Sequence, residues 1–167
     1  MKQIGTKEIK TNRLLLRKIR IDDANSLQEL GCLHGSIEEI EKNIDNWIKQ
    51  YANPLTYHWV IEYEKKAIGR IMVWEVSTFN EYCQLGYDVA LAYRNKGIMT
   101  EALKAVFDYL LNQSDFNRIY LQVRTNNNAS NKVCEKCGMK LEGIMEKHFK
   151  SQDSFDDVNI WGITKQY

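Results

Sequence analysis

From Cys83 to Ala90 the chain reads as a β-strand, which passes into the loop Arg94-Asn95-Lys96-Gly97 and then into an amphipathic helix. This arrangement suits capture of an anion. The first N–H groups of a helix have no partner inside it, so Ile98, Met99 and Thr100 offer backbone donors at its mouth. The helix dipole and the cations of Arg94 and Lys96 add to the pull on phosphate. Gly97 permits a tight turn and close approach of a ligand. The plainer alternative is an ordinary strand–loop–helix connection with a solvated Arg and Lys. Neither G-x-x-x-x-G-K-[ST] nor G-x-G-x-x-G is present, so nucleoside triphosphate and dinucleotide chemistry lack their signatures.

A second stretch lies about thirty residues downstream: Asn127-Asn128-Ala129-Ser130, then Glu135-Lys136-Cys137-Gly138-Met139 and Glu142-Gly143. Together with Arg94-x-x-Gly97-x-Met99 and Thr100-Glu101-Ala102, it resembles the GNAT N-acetyltransferases. The branch it is most similar to contains the ribosomal-protein N-terminal (Rim-type) acetyltransferases. Thr11-Asn12-Arg13-Leu14-Leu15-Leu16-Arg17 at one end and Asp156-Asp157-Val158-Asn159 at the other fit the same branch. The likeness therefore runs in order through nearly the whole chain. Three positions depart from it. Met99 stands where the loop usually ends in Gly or Ala, so its side chain must turn away from the pyrophosphate. Met139 replaces an aromatic and fills the same apolar site. Cys134 stands where many members carry a Tyr that protonates the departing thiolate.

The resemblance implies a mixed α/β fold with a central sheet of six to seven strands flanked by about four helices. It also implies acetyl-CoA as co-substrate, its pyrophosphate on Arg94–Thr100 and its pantetheine against the free edge of two strands that splay apart. Direct transfer to an amine needs a neutral amine, a polarised thioester carbonyl, a proton for the thiolate and held reactants. A backbone N–H near Val89 is the candidate for polarising the carbonyl. The resemblance puts Asn127 on the pantetheine and Ser130 beside the sulfur as the proton donor; Ser130 also suits a helix cap. For the general base, some relatives carry a Glu in the strand before the loop, where this chain has Gln84. By period-2 alternation Glu142, Glu146 and His148 share one face of the penultimate strand and are alternatives, as is a purely solvated role for each.

An α-amine of pKa about 7.7–8.0 is partly neutral near pH 7, whereas a lysine near 10.4 is not, a difference of about 3.4 kcal/mol in deprotonation work. A chain without an evident strong base is matched to a protein N-terminal α-amine. Small amines (polyamines, amino acids, aminoglycosides) are the alternative acceptors, and the acidic helix at Glu38, Glu39, Glu41 and Asp45 would favour polycations if it lined the cleft. A catalytically silent acyl-CoA-binding module is a third reading. The expected partners are acetyl-CoA and the acceptor, with a homodimer as a further option.

The elements that must position these residues follow from pattern. The 167 residues suit a single domain, with 44% hydrophobic and 27% charged residues and a net charge of +1. That balance gives no reason to expect nucleic acid, and neither a membrane-length apolar run nor a signal core is present. The four cysteines have neither disulfide-framework nor zinc spacing, so reduced thiols, no metal and a cytoplasmic setting are expected. Strands are expected at Arg13–Ile19, Tyr57–Tyr63, Ala67–Val76, Tyr82–Ala90, Arg118–Arg124, Leu141–Lys150 and Asp157–Lys165. Asp22 can cap a helix reaching Leu30, and Ser36-x-x-Glu39 is a capping box for a helix with Ile37, Ile40, Ile44, Trp47, Ile48 and Tyr51 on its apolar face. Helices also follow Gly97 and span Ser130–Cys137, the last closed by Gly138.

Overall fold

Alternating apolar residues bury both faces of one sheet, and helices cover each. The computed structural model describes residues 4–166, in which eight strands run β1 (Ile9–Lys10), β2 (Leu14–Arg17), β3 (His58–Tyr63), β4 (Lys66–Ser77), β5 (Tyr82–Val89), β6 (Arg118–Arg124), β7 (Lys140–Lys150) and β8 (Phe155–Thr164). Their order across the sheet is β1-β2-β3-β4-β5-β6-β8-β7. All neighbours are antiparallel except β5 and β6, which are parallel. The crossover between those two carries helix α3 (Ile98–Gln113), as the strand–helix–strand pattern requires.

Helix α3 buries Leu103, Val106, Phe107 and Leu110 against Trp59, Ile71, Leu85 and Ile119 of the sheet. Helices α1 (Asp23–Glu29) and α2 (Ile37–Gln50) cover part of the opposite face, where Leu27, Ile40 and Ile44 meet Ile19, Val60 and Ala67. The capping box is formed as expected: the Ser36 hydroxyl accepts from the Glu39 N–H at 3.3 Å, and the Glu39 carboxylate from the Ser36 N–H at 2.9 Å.

The feature that matters most for the site is a parting of strands. Pairing of β5 with β6 runs from Tyr82–Arg118 to Leu85–Leu121 and stops, while β5 stays paired with β4 as far as Val89. Residues Gly86 to Val89 therefore lack a neighbour on the β6 side. Ala90 N–H donates to the Ile68 carbonyl at 2.9 Å, so strand alternation turns the N–H and C=O of Val89 away from β4 and into the opening.

Several expectations shift. The sheet has eight strands rather than six or seven, because the two-residue β1, too short to show a period, pairs with β2. The first expected strand ends at Arg17 instead of Ile19. Asp22 occupies the cap position of α1 but makes no side-chain cap bond. The Asp23 carboxylate instead accepts from the Arg20 N–H, ahead of the helix, at 2.8 Å and from both terminal nitrogens of Arg17 at 2.8 and 2.7 Å. Helix α4 runs Asn128–Lys136 rather than Ser130–Cys137, and its cap is Asn127, whose Oδ1 accepts from the Ser130 N–H at 3.1 Å. Ser130 is thus inside the first turn and is not the cap. Bulges between Leu141 and Gly143 and between Met145 and Phe149 break the alternation of β7, so Glu142, Glu146 and His148 do not follow one continuous face.

The Arg17 side chain is 6% exposed and pairs with Asp23 and, at 2.6 Å, with Glu62. Removing one partner strands a buried charge, which costs about 3–5 kcal/mol. Asp23→Ala should cost about 3 kcal/mol, since Glu62 remains, and lower the melting temperature by about 6–12 °C. Asp45→Ala, which breaks an exposed pair with Lys49, should change it by no more than about 1 kcal/mol. Thermal melts of both variants check the contrast.

Candidate active site

The loop after β5 is shaped by two residues at positive φ, Asn95 at 60° and Gly97 at 73°. Gly97 caps α3 in the left-handed region, where a side chain brings strain. The first intrahelical bond there is Glu101 N–H to the Gly97 carbonyl at 3.0 Å, leaving the N–H groups of Ile98, Met99 and Thr100 without helical partners. Met99 is 5% exposed and lies in the core, so its side chain is out of the way. Arg94 Nε donates to the Val89 carbonyl at 3.3 Å, on the open edge of β5.

The loop is braced from behind by the N-terminal turn. Arg13 Nη1 donates to the Lys96 carbonyl at 3.1 Å and Nε to Glu101 at 2.7 Å. The Arg13 N–H and the Thr11 hydroxyl donate to the other Glu101 oxygen at 3.0 and 2.6 Å. Burial would raise the Glu101 carboxyl, but these bonds outweigh it and hold it below its ordinary value. The Thr-x-Arg opening is therefore a clamp on the first turn of α3.

Across the opening, α4 is held by Asn131. Its amide nitrogen donates to the carbonyls of Arg124, Thr125 and Asn127, and its oxygen accepts from Asn159 at 2.9 Å and Trp161 at 2.8 Å. This accounts for the closing Asp-Asp-Val-Asn run. Asp156 pairs with Arg124, Asp157 accepts from the Lys147 N–H at 2.8 Å, Val158 is fully buried and Asn159 bonds Asn131.

Two cavities meet between these elements. One, of about 460 Å³, lies between the loop, the start of α3 and α4, and brings together Val89, Arg94, Asn95, Gly97, Asn127 and Ser130, with Lys132 and Lys136 added from α4. The second, of about 340 Å³, opens on the other side and is lined by Arg70, Met72, Trp74, Gln122, Arg124 and Phe149 among others. They share Tyr87, Asp88, Asn127 and Ser130. Trp74 is 67% exposed and its indole covers Gly86, where a Cβ would collide with it.

The sequence-derived set divides accordingly. Val89, Arg94, Asn95, Gly97, Ile98, Met99, Thr100, Asn127 and Ser130 all line the first cavity. Lys96 is in the same loop, its ammonium 5.4 Å from the centre of the Tyr93 ring. Glu142 and His148 line neither cavity. Glu142 is held by both terminal nitrogens of Arg118, at the start of β6 and away from the opening, and that guanidinium keeps its carboxyl below the usual range. His148 is exposed in the second bulge of β7, its ring 5.3 Å from that of Phe149. Cys134 is fully buried, and burial pushes its thiol up to about 12. Sequence reasoning missed Tyr87, Asp88, Lys132 and Lys136. Asp88 was reachable, since alternation from Gln84 through Gly86 places it on the same face of β5.

An open strand edge thus lies beside a cationic helix N-terminus, and a second cavity meets the first end to end. The acetyltransferase (GNAT) domain family model matches residues 13–140. The chain therefore belongs to the GNAT family: it is an acetyl-CoA-dependent N-acyltransferase, and acetyl-CoA is its co-substrate. It is 26% identical over 170 residues to the uncharacterized N-acetyltransferase YoaA of Bacillus subtilis, covering 94% of this chain and 96% of that one. It is 25% identical over 126 residues to the ribosomal-protein-serine acetyltransferase of Escherichia coli, covering 75% and 70%. Among solved structures, RimL, a ribosomal-protein α-N-acetyltransferase in complex with coenzyme A, superposes with a TM-score of 0.86 at 21% identity over 95% of this chain and 98% of that one. The microcin self-immunity acetyltransferase MccE, in complex with acetyl-CoA and AMP, gives 0.85 at 19% identity over 92% and 93%. No helix among the described residues is long and apolar enough to cross a membrane.

Gly97→Glu should weaken acetyl-CoA binding at least about tenfold, through strain at positive φ and a carboxylate beside the phosphates. Isothermal calorimetry of both proteins checks this; equal affinity would remove the loop from the site.

Proposed function

We propose that the chain acetylates a protein N-terminal α-amine, with the acceptor entering through the Trp74–Phe149 cavity and acetyl-CoA through the loop side. The observation that carries the reading is the meeting of the two cavities at Tyr87, Asp88, Asn127 and Ser130. The likeness to a ribosomal-protein-serine acetyltransferase supports it.

The acceptor cavity also argues against polycations. Its charged lining is Arg70, Arg124 and one carboxylate, Asp88. The acidic residues of α2, Glu38, Glu39, Glu41 and Asp45, line neither cavity. A single ammonium beside apolar and aromatic side chains suits an N-terminal residue better than a polyamine. A panel of peptides with free N-termini, the same peptides N-terminally blocked but carrying lysine, and small polyamines, assayed for thiol release, tests the reading. Turnover should be confined to free N-termini; faster turnover of blocked peptides or polyamines would overturn it.

Val89 N–H faces the opening and polarises the thioester carbonyl, while Ser130 gives its hydroxyl proton to the sulfur as the C–S bond breaks. Glu142 and His148 take no part in this proposal, because neither reaches either cavity. Ser130→Ala should lower kcat about 10²-fold and leave the acetyl-CoA Kd unchanged, since the bond it removes strengthens only as charge develops on sulfur. The variant keeps the backbone N–H that Asn127 caps, so its melting temperature should hold. A fall in melting temperature with an unchanged kcat would end the catalytic assignment.

A further inference from the structure

We infer that Asp88, held by Arg70, is the proton acceptor for the incoming amine. The inference rests on the acetyl-transfer reading above and names the one role in it that no expected residue filled.

The geometry is specific to this carboxylate. Asp88 lines both cavities at their junction with Ser130. Its Oδ2 accepts from Arg70 Nη2 at 2.7 Å, while Oδ1 is buried with no hydrogen-bond partner among the described residues. A carboxylate oxygen without a donor is costly, and an ammonium is the donor that would complete it. About a third of the side chain, 32%, remains open. The carboxylate torsion is broad and two-fold, so either oxygen can face the acceptor while the other keeps Arg70.

Arg70 is nearly enclosed, and its Nε, like Asp88 Oδ1, is buried with no hydrogen-bond partner among the described residues. It is 9% exposed, its guanidinium lies 5.2 Å from the Trp47 ring centre, and Nη2 also approaches the Cys32 carbonyl at 3.5 Å. The charged and titratable groups around Asp88 are Arg70 on β4, Arg94 in the loop, and His34 and Cys32 in the segment between α1 and α2. Burial raises the Asp88 carboxyl above its ordinary value, against the opposing pull of Arg70, Arg94 and His34. A carboxylate raised in this way is a better proton acceptor than a free one. It matches an α-ammonium near pKa 8 better than a lysine near 10.4.

The proton balance closes. An R–NH₃⁺ acceptor loses two protons on becoming an amide N–H. Asp88 takes the first, freeing the lone pair that forms the C–N bond, and passes it to water. The second, released from nitrogen as the C–N bond is completed, replaces the proton that Ser130 gives to the sulfur when the C–S bond breaks.

The test is Asp88→Asn, which keeps an oxygen for Arg70 but cannot take a proton. At pH 7 its kcat/KM for a free-N-terminus peptide should fall about 10²-fold, with the acetyl-CoA Kd unchanged. Wild type should rise with pH as Asp88 ionises, whereas the variant should rise only with the titration of the substrate amine itself. The deficit should shrink as pH climbs above the amine pKa, where the substrate arrives neutral. Arg70→Gln should move the wild-type acid limb to higher pH, because it removes the cation that stabilises the ionised carboxylate; a role in packing alone would leave that limb in place. An Asp88→Asn enzyme with the wild-type profile and rate would overturn the assignment while leaving acetyl transfer intact. A loss confined to KM that persists at high pH would assign Asp88 to ammonium binding and also overturn it. Failure of wild type on every amine would instead sink the function on which the inference rests.

Discussion

Backbone N–H and C=O groups inside a sheet cost free energy when they are left without partners, about 1–3 kcal/mol apiece. Between β5 and β6 the ladder ends at Leu85–Leu121, and beyond it β5 has no strand partner on the β6 side, the Val89 carbonyl meeting only Arg94 Nε. A fold tolerates such an opening only where a ligand or water completes the bonds. The pantetheine arm of CoA, a chain of amides, has the donors and acceptors to do so. The site is in this sense a missing stretch of ladder, and the loop, the α3 terminus and the α4 cap are arranged around its two ends.

What keeps the opening in register is a set of contacts remote in sequence. Arg13 and Thr11 hold Glu101 and the Lys96 carbonyl, fixing the loop and the start of α3. Asn131 ties the start of α4 to β6 and β8, fixing the wall that carries Ser130. Arg70 and Asp88 tie β4 to the open edge of β5 beside the second cavity. Each device places a charged or amide side chain so that its bonds are satisfied on one side and its neighbour's reactive edge is presented on the other.

Much of this was legible in sequence, for identifiable reasons. The capping box at Ser36, the β5–loop–α3 crossover and the loop donors depend on local spacing, and local spacing survives folding. Asn127 and Ser130 both line the first cavity, but the helix cap there is Asn127, not Ser130. A cap is decided by a shift of three residues, which composition cannot resolve when Asn, Asn and Ser all occur there. Glu142, Glu146 and His148 were grouped on one face because period-2 reasoning assumed an unbroken strand. The two bulges in β7 invalidate that assumption, and Glu142 is engaged by an arginine from β6, a partner fixed only by the sheet order. Asp88 was overlooked because its meaning lies in Arg70, eighteen residues away and opposite it in the β4–β5 pair.

Amide hydrogen exchange with and without acetyl-CoA tests the central claim most directly, because it reads the very N–H groups that the opening leaves free. The account predicts new protection in two segments, 86–100 and 127–136, with little change along β1 to β3. Protection elsewhere, with those two segments unaltered at saturating acetyl-CoA, would contradict it.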